Sequence, residues 1–294
     1  MLRTTLALLA AGFVAIGSAR ADIVLSSSLQ DVNGPYGSVV ATTTTDSSGK
    51  RTTVTGLPNS TSRASGTAAV GSWFQENVGV GSVVGITSDY QRSGNGSAYF
   101  STTGNNSKGD LQYYFGSSTP LSSLTSLSYE FYRDGTSTTG ANFSPVVRFD
   151  IAKNGAFAGS LVLEDFYQAQ TAPPIDTWTT LSATLTSGIF WATNAALGPT
   201  FAAANGGQKT LQAWIDANAG STLSVYGMTI GAGSGWNGLF AGAVDNVNVA
   251  FANGPTLASN FEVAAATAVP EPASILLTLG GIGALSLFRR REAR

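Results

Sequence analysis

Leu127-Ser128-Tyr129-Glu130-Phe131-Tyr132-Arg133-Asp134-Gly135 is the stretch that decides the fold. Leu127, Tyr129 and Phe131 alternate with Ser128, Glu130 and Tyr132, and a period of two puts the three large side chains on one face of a strand. Arg133-Asp134-Gly135 then ends the strand with turn-forming residues. The pattern repeats on both sides of it. Upstream, residues 96–102 hold Ala98, Tyr99 and Phe100, and residues 110–115 carry Leu111, Tyr113 and Phe115 on one face. Downstream, Val147, Phe149 and Ile151 stand opposite Val146, Arg148 and Asp150.

Working outward, residues 161–166 and 178–185 read as strands separated by a loop containing Pro173-Pro174, and residues 223–230 and 241–251 as two more. In the last of these, Val244, Asn246 and Asn248 alternate with Asp245, Val247 and Val249. Between them Leu211, Trp214 and Ile215 fall at helical spacing and predict one short helix starting near Thr210. Toward the N-terminus, residues 23–29 read as a strand. Residues 36–45 and 51–55 read as a hairpin closed by Asp46-Ser47-Ser48-Gly49-Lys50. Residues 56–71, with Pro58, read as a polar loop, and the segment opening on Trp73 and Phe74 shows no clear period. Roughly ten short strands and one helix imply an all-β fold of two packed antiparallel sheets.

The 294 residues include no Cys and no His. Ser-His-Asp hydrolysis, Cys-His proteolysis and His-ligated zinc are therefore excluded. Stability must come from an ordinary core, without disulfides. Residues 22–268 carry nine Lys/Arg and fifteen Asp/Glu, a formal charge of −6. That balance, with its basic residues scattered, speaks against a nucleic-acid partner, which needs a clustered positive footprint.

Both ends read as targeting segments. Arg3, an apolar run over residues 6–16 and Ala19-Arg20-Ala21 predict an N-terminal signal helix over residues 1–21, cleaved before Asp22. Residues 22–268 are then the sandwich body. At the other end Val269-Pro270-Glu271-Pro272 is followed by sixteen uncharged residues, 273–288, and by Arg289-Arg290-Arg291 at the start of the basic stop, 289–294. As a helix the apolar run would span roughly 24 Å, slightly short of a bilayer core of about 30 Å. It predicts a transmembrane helix with its arginines on the cytoplasmic side.

This tail resembles the PEP-CTERM sorting domain of exported Gram-negative proteins. The resemblance covers residues 269–294 and implies recognition by an exosortase-type transpeptidase, with cleavage near Pro270-Glu271-Pro272. The chain would be an inner-membrane intermediate before processing, then a protein of the cell envelope, outer surface or extracellular matrix. Ser128-Tyr129-Glu130-Phe131-Tyr132-Arg133-Asp134, Trp178-Thr179-Thr180, Gly233-Ser234-Gly235-Trp236 and Val244-Asp245-Asn246-Val247 are similar to strings in the jelly-roll bodies that accompany such tails. Those bodies are similar in turn to concanavalin A-like, laminin-G-like and carbohydrate-binding sandwiches. The fold this implies is a jelly roll, and it carries function poorly.

Three chemistries compete in the body. Glycan binding would use exposed aromatics with polar neighbours: Trp236 on its glycine-rich loop, Tyr132 with Arg133 and Asp134, and Trp191. Packing of these aromatics in the core is the plainer reading. A structural calcium, which takes about six to eight oxygens, would use Asp245 and Asn246 with Asp22 or Asp31. The alternative is an Asp245 bonded to backbone amides at a turn. Hydrolysis or lysis of a polysaccharide would need two facing carboxylates. Glu164 and Asp165, adjacent in a strand, point to opposite faces, which leaves Glu130 with Glu164. The leading expectation is a non-enzymatic exported sandwich without a cofactor, with a structural or glycan-binding role and a polysaccharide as partner. A carboxylate-dependent hydrolase or lyase is the alternative.

Overall fold

The computed structural model describes residues 21–31, 40–45, 51–56, 70–78, 81–104, 107–200, 206–233 and 235–264. In chain order the strands are β1 (Asp22–Leu25), β2 (Gln30–Asp31), β3 (Val40–Thr45), β4 (Arg51–Gly56), β5 (Trp73–Glu76), β6 (Val83–Thr87), β7 (Ser97–Thr102), β8 (Lys108–Pro120) and β9 (Leu124–Arg133). They continue with β10 (Val146–Lys153), β11 (Ala156–Leu163), β12 (Thr179–Ala183), β13 (Phe190–Ala192), β14 (Gln208–Lys209), β15 (Leu223–Gly233), β16 (Phe240–Phe251) and β17 (Thr256–Glu262). Two helices interrupt them, α1 (Phe166–Ala169) and α2 (Leu211–Ala217).

The strands form two sheets. Sheet A runs β1-β17-β16-β7-β6-β4-β3, with β9 on the other side of β16 and β12 beyond it. Sheet B runs β14-β13-β11-β10-β15-β8-β5-β2. Pairing is antiparallel except for two short parallel pairs, β1 with β17 and β2 with β5. This is the expected all-β jelly-roll sandwich, with more strands than periodicity reveals. β6, β13 and β14 are too short or too uniformly apolar to show a clean alternation.

The core is the layer between the sheets. Tyr129 and Phe131 from sheet A meet Phe149, Phe190 and Ile230 from sheet B, all fully buried. Tying the layers together, the Trp73 indole N–H of β5 donates to Ser259 Oγ of β17 at 2.9 Å. Seven residues are too few for α2 to persist alone. Trp214 holds it, being 0% exposed with its N–H on the Phe190 carbonyl at 3.1 Å. Thr210 caps its N-terminus through Ala213 N, as the spacing predicted.

Three local expectations change. Residues 23–29 divide into β1, a 3-10 turn at Ser26–Ser28 and β2. β11 ends at Leu163, so Glu164 and Asp165 lead into α1 and do not alternate in a strand. In β16 the alternation breaks at Asn246, whose φ of 49° sits in a bulge. That extra residue turns Val244, Val247 and Val249 all toward the core, where a strict period of two would place Val244 opposite the other two.

No helix among the described residues is long and apolar enough to cross a membrane. Residues 1–20 of the expected signal helix, residues 57–69 of the expected loop over 56–71 and the whole of the expected tail, 269–294, lie outside the described residues.

Candidate functional site

The face of sheet B turned away from the core carries the densest polar chemistry of the described residues. Strand register arranges it in transverse rows. Phe74, Gln112, Thr229, Arg148, Val162 and Trp191 follow one another across β5, β8, β15, β10, β11 and β13. A parallel row runs Glu76, Asp110, Gly231 and Val146, with Glu164 just past the end of β11. On the other side lie Tyr114, Gly227, Asp150 and Ser160. From β13 to β8 is four inter-strand spacings, roughly 19 Å.

β15 gives this face its relief. Its outward positions are Gly227, Thr229 and Gly231, followed by Gly233. A Cβ on Gly231 would stand 2.1 Å from Asp110 Oδ1, and one on Gly227 2.6 Å from Tyr114 Cδ1. The glycines leave a trough into which the side chains of β8 and β10 lean.

Asp110, 0% exposed, is held on both oxygens. Arg148 Nη1 donates to Oδ1 at 2.7 Å and Lys108 Nζ to Oδ2 at 3.0 Å. Arg148 Nη2 also donates to the Gly233 carbonyl at 3.0 Å. Asp150 accepts from Gln112 Nε2 and from Ser160 Oγ, and the Thr229 hydroxyl donates to Gln112 Oε1. Burial raises the Asp150 carboxyl above its usual range. Glu76 is pushed up to about 7 by burial and by the charges of Asp150 and Asp110. Its Oε2 is buried without a hydrogen-bond partner.

Beside this network lies a cleft of about 190 Å³ lined by Lys108, Arg148, Glu164, Trp191, Thr193 and Trp236, with Val146 and Gly233. Trp191 is half-buried and donates its indole N–H to Glu164 Oε2 at 3.2 Å. Burial pushes the Glu164 carboxyl up to about 7, against the opposing pull of Trp191 and Arg148. At that value it is partly protonated near neutrality and can both donate and accept. Aromatics flank the other end of the face: Tyr114 and Tyr226 stack at 5.9 Å between ring centres, and the exposed Phe157 meets Tyr226 edge-on.

The residues named from sequence scatter over this architecture. Trp191 stands in the cleft. Trp236 is 6% exposed and stacks on Phe143 at 4.7 Å, so it forms a wall and not a free platform. Tyr132 belongs to the outer face of sheet A, packed on Tyr90 and Trp178, and its hydroxyl donates to Asp176 at 3.2 Å. Arg133 and Asp134 are 4% and 2% exposed. The first points into the interior at the end of β9, and the second accepts from the Tyr90 hydroxyl and from Thr136. Neither reaches a surface ligand, and Tyr132 and Trp191 sit on opposite sheets, so these residues do not form one site.

Asp245 is 0% exposed and accepts backbone N–H groups from Ser93 at 3.0 Å and Phe261 at 3.1 Å. Burial raises it to about 6. Its oxygens hold three chain segments together, which is the backbone-bonding alternative to calcium. The described residues contain no group of three acidic side chains placed to hold a metal. Glu130 lies on sheet A, clasped by Arg92 at 2.7 and 2.9 Å, while Glu164 lies on sheet B. The two cannot flank one glycosidic bond.

No protein-family profile matches the sequence, and no curated protein matches it. Among the solved structures similar to it are three carbohydrate-binding modules. One is the family 11 module of a cellulosomal cellulase of Clostridium thermocellum, with a TM-score of 0.36 and 13% identity over 78% of this chain and 99% of that one. Another is a family 11 module from Clostridium thermocellum in complex with a β-1,3-1,4-mixed-linked tetrasaccharide, with a TM-score of 0.34 and 18% identity over 66% and 92%. A third is a carbohydrate-binding module of the β-sandwich superfamily described as promiscuous in specificity, with a TM-score of 0.32 and 12% identity over 71% of each chain.

Sequence reasoning missed most of the sheet B face. Arg148 and Asp150 were visible as polar residues opposite an apolar strand face, as were Asp110, Gln112 and Tyr114 opposite Leu111, Tyr113 and Phe115. The signal that could have joined them is the spacing of Gly227, Gly231 and Gly233. All three fall on one face of a strand, where glycine is otherwise costly.

Proposed function

We propose that the chain is a non-catalytic glycan-binding protein whose binding surface is the outer face of sheet B. The observation that carries this reading is the cleft in which half-buried Trp191 stands beside Glu164, Arg148 and Lys108. An aromatic ring offers a pyranose its apolar face, while the surrounding carboxyl, guanidinium and ammonium groups match hydroxyls around the ring edge. Tyr114 and Tyr226 supply a second aromatic patch across the trough. The length of the face suits a short run of an extended polysaccharide better than a single sugar.

A binding role is favoured over hydrolysis by the state of the carboxylates. Asp110 is enclosed and spends both oxygens on cations, so it offers no base to a water. The other carboxyl of that row, Glu76 on β5, stands four inter-strand spacings from Glu164, roughly 19 Å and too far to flank one glycosidic bond with it. Incubating the protein with a panel of polysaccharides, and measuring both retention on the insoluble polymer and release of reducing ends, tests the pair of readings. Retention without release is expected, and release that vanishes in Glu164→Gln would make the protein an enzyme.

The export route belongs to the same proposal. The segment ending at Ala19-Arg20-Ala21 and the tail Val269-Pro270-Glu271-Pro272 to Arg294 support secretion followed by exchange of the C-terminal segment by an exosortase-type transpeptidase. The mature protein would then reside at the outer envelope or in an extracellular polysaccharide matrix. Mass spectrometry of the protein recovered from its host decides this step: a C-terminus near Pro270 is expected, and an intact Arg294 would refute it.

A further inference from the structure

One end of the sandwich interior is lined by hydrogen-bonding groups that have no partner. Arg133 Nε and Nη1, Ser82 Oγ, Thr102 Oγ1, Thr139 Oγ1 and Ser144 Oγ are all buried and unpaired. Their residues are between 0% and 5% exposed. Strand register spreads them along that end: Thr102 and Arg133 lie on opposite sides of β16, two inter-strand spacings apart, and Ser82 stands beside Thr102 one strand further, whereas Thr139 adjoins Arg133, its carbonyl 3.4 Å from Nη2. Thr102 is the last residue of β7 and pairs with Phe240, the first of β16, while Arg133 ends β9 opposite Gly242. Ser82 immediately precedes β6, and Ser144 lies two residues before β10. By the alternation of their strands, Thr102 follows the core residues Ala98 and Phe100, and Arg133 follows Tyr129 and Phe131.

The guanidinium of Arg133 lies 6.0 Å from the centre of the Phe240 ring, and Nη2 makes only two long contacts, 3.4 Å each, to the carbonyls of Thr139 and Gly140. Burial lowers its proton affinity, and no carboxylate among the described residues forms an ion pair with it. Asp134, next in the chain, spends its carboxylate on Tyr90 and Thr136. An unpaired buried charge is among the most destabilising features a fold can carry. The unpaired groups brought together here are Nε and Nη1 of that guanidinium and the hydroxyl of the adjoining Thr139, all able to donate. Such a donor set complements a small anion.

We propose that this end of the sandwich holds a small monovalent anion, of the size of chloride or formate, between the guanidinium of Arg133 and the hydroxyl of Thr139. The anion compensates the buried guanidinium and pins the loop over residues 134–145. That loop also carries Phe143, whose ring supports Trp236 in the wall of the sheet B cleft. Occupancy therefore steadies the cleft from behind, by a site separate from the glycan surface and independent of what that surface binds.

The test is the melting temperature of the full-length protein at constant ionic strength as a bulky organic sulfonate is replaced by chloride or formate. A saturable rise of several degrees is expected for the wild type. Arg133→Met is expected to melt at least as high as the wild type without chloride and to show no rise with it, because it removes the charge that needs compensation. Should that variant fail to fold, Thr139→Val takes its place, with a weakened chloride response expected. A bromide soak of crystals gives an independent reading, an anomalous peak beside Arg133. A wild-type melting temperature indifferent to chloride and formate, or bromide absent from this end of the sandwich, would overturn the proposal and leave a pocket that holds only water.

Discussion

Asp110 and Gly231 face each other across the β8–β15 ladder so closely that a single added carbon at Gly231 would stand 2.1 Å from Asp110 Oδ1 and 2.4 Å from the Gly109 carbonyl. The second contact is with backbone and cannot swing aside. The absence of a side chain at Gly231 is thus what lets the carboxylate of Asp110 lie flat beneath Arg148 and Lys108. Gly231→Ala should destabilise the protein by about 1–3 kcal/mol through overpacking. It should also loosen Arg148 at the edge of the cleft. Gly104→Ala, where a Cβ meets nothing within 4 Å, is the neutral control. Urea unfolding of the two variants checks the contrast, and equal midpoints would contradict it.

The buried carboxyls predict an unusual pH dependence. Glu76 and Glu164 are raised from 4.5 to about 7, and Asp245 from 3.8 to about 6. A carboxyl whose folded value lies above its unfolded value binds protons more tightly in the native state, so its contribution is fully present below the unfolded value. That contribution is lost as pH rises through the folded one. Melting temperature should therefore fall between about pH 4.5 and 7 and then level off. Glu164→Gln should flatten part of that slope. A protein that gains stability over the same interval would show these groups to be ionised in the fold.

The two tryptophans of the cleft should separate cleanly. Trp236 is buried between Phe143 and Phe240, so Trp236→Ala should cost about 3–5 kcal/mol. Half-buried Trp191 has one side in the cleft and gives up less packing. Trp191→Ala should leave the unfolding midpoint within roughly half that cost. Chemical denaturation of both variants reads the difference directly.

Much of this was legible before any coordinates. The alternation of Tyr129 and Phe131 and of Phe149 and Ile151 placed the core strands, and the spacing of Leu211, Trp214 and Ile215 placed α2. What failed did so for physical reasons. A bulge at Asn246 requires φ near 49°, which a run of alternating Val and Asn does not announce. Trp236 in a glycine-rich loop looks exposed, yet an indole is large enough to close the end of a sandwich from a loop. The site itself is a product of register. Asp110, Arg148 and Trp191 come from three separate strands and Glu164 follows a fourth, and only the order of sheet B places them side by side.

Asp245 illustrates the same limit at smaller scale. Its type and neighbours suit calcium, but the Ser93 and Phe261 amides already occupy its two oxygens. Asp245→Ala should leave both N–H groups unpaired and cost about 2–4 kcal/mol. Addition of a chelator should leave the wild-type melting curve unchanged. A chelator-induced drop would restore the metal.

The central claim is that the Trp191 face of sheet B binds glycan, and calorimetric titration of the full-length protein with a panel of soluble polysaccharides tests it most directly. At least one polymer should bind the wild type, and Trp191→Ala should weaken that binding at least tenfold while Tyr132→Ala, on sheet A, leaves it intact. Equal affinity in the wild type and in Trp191→Ala, or loss of binding in Tyr132→Ala alone, would contradict the account.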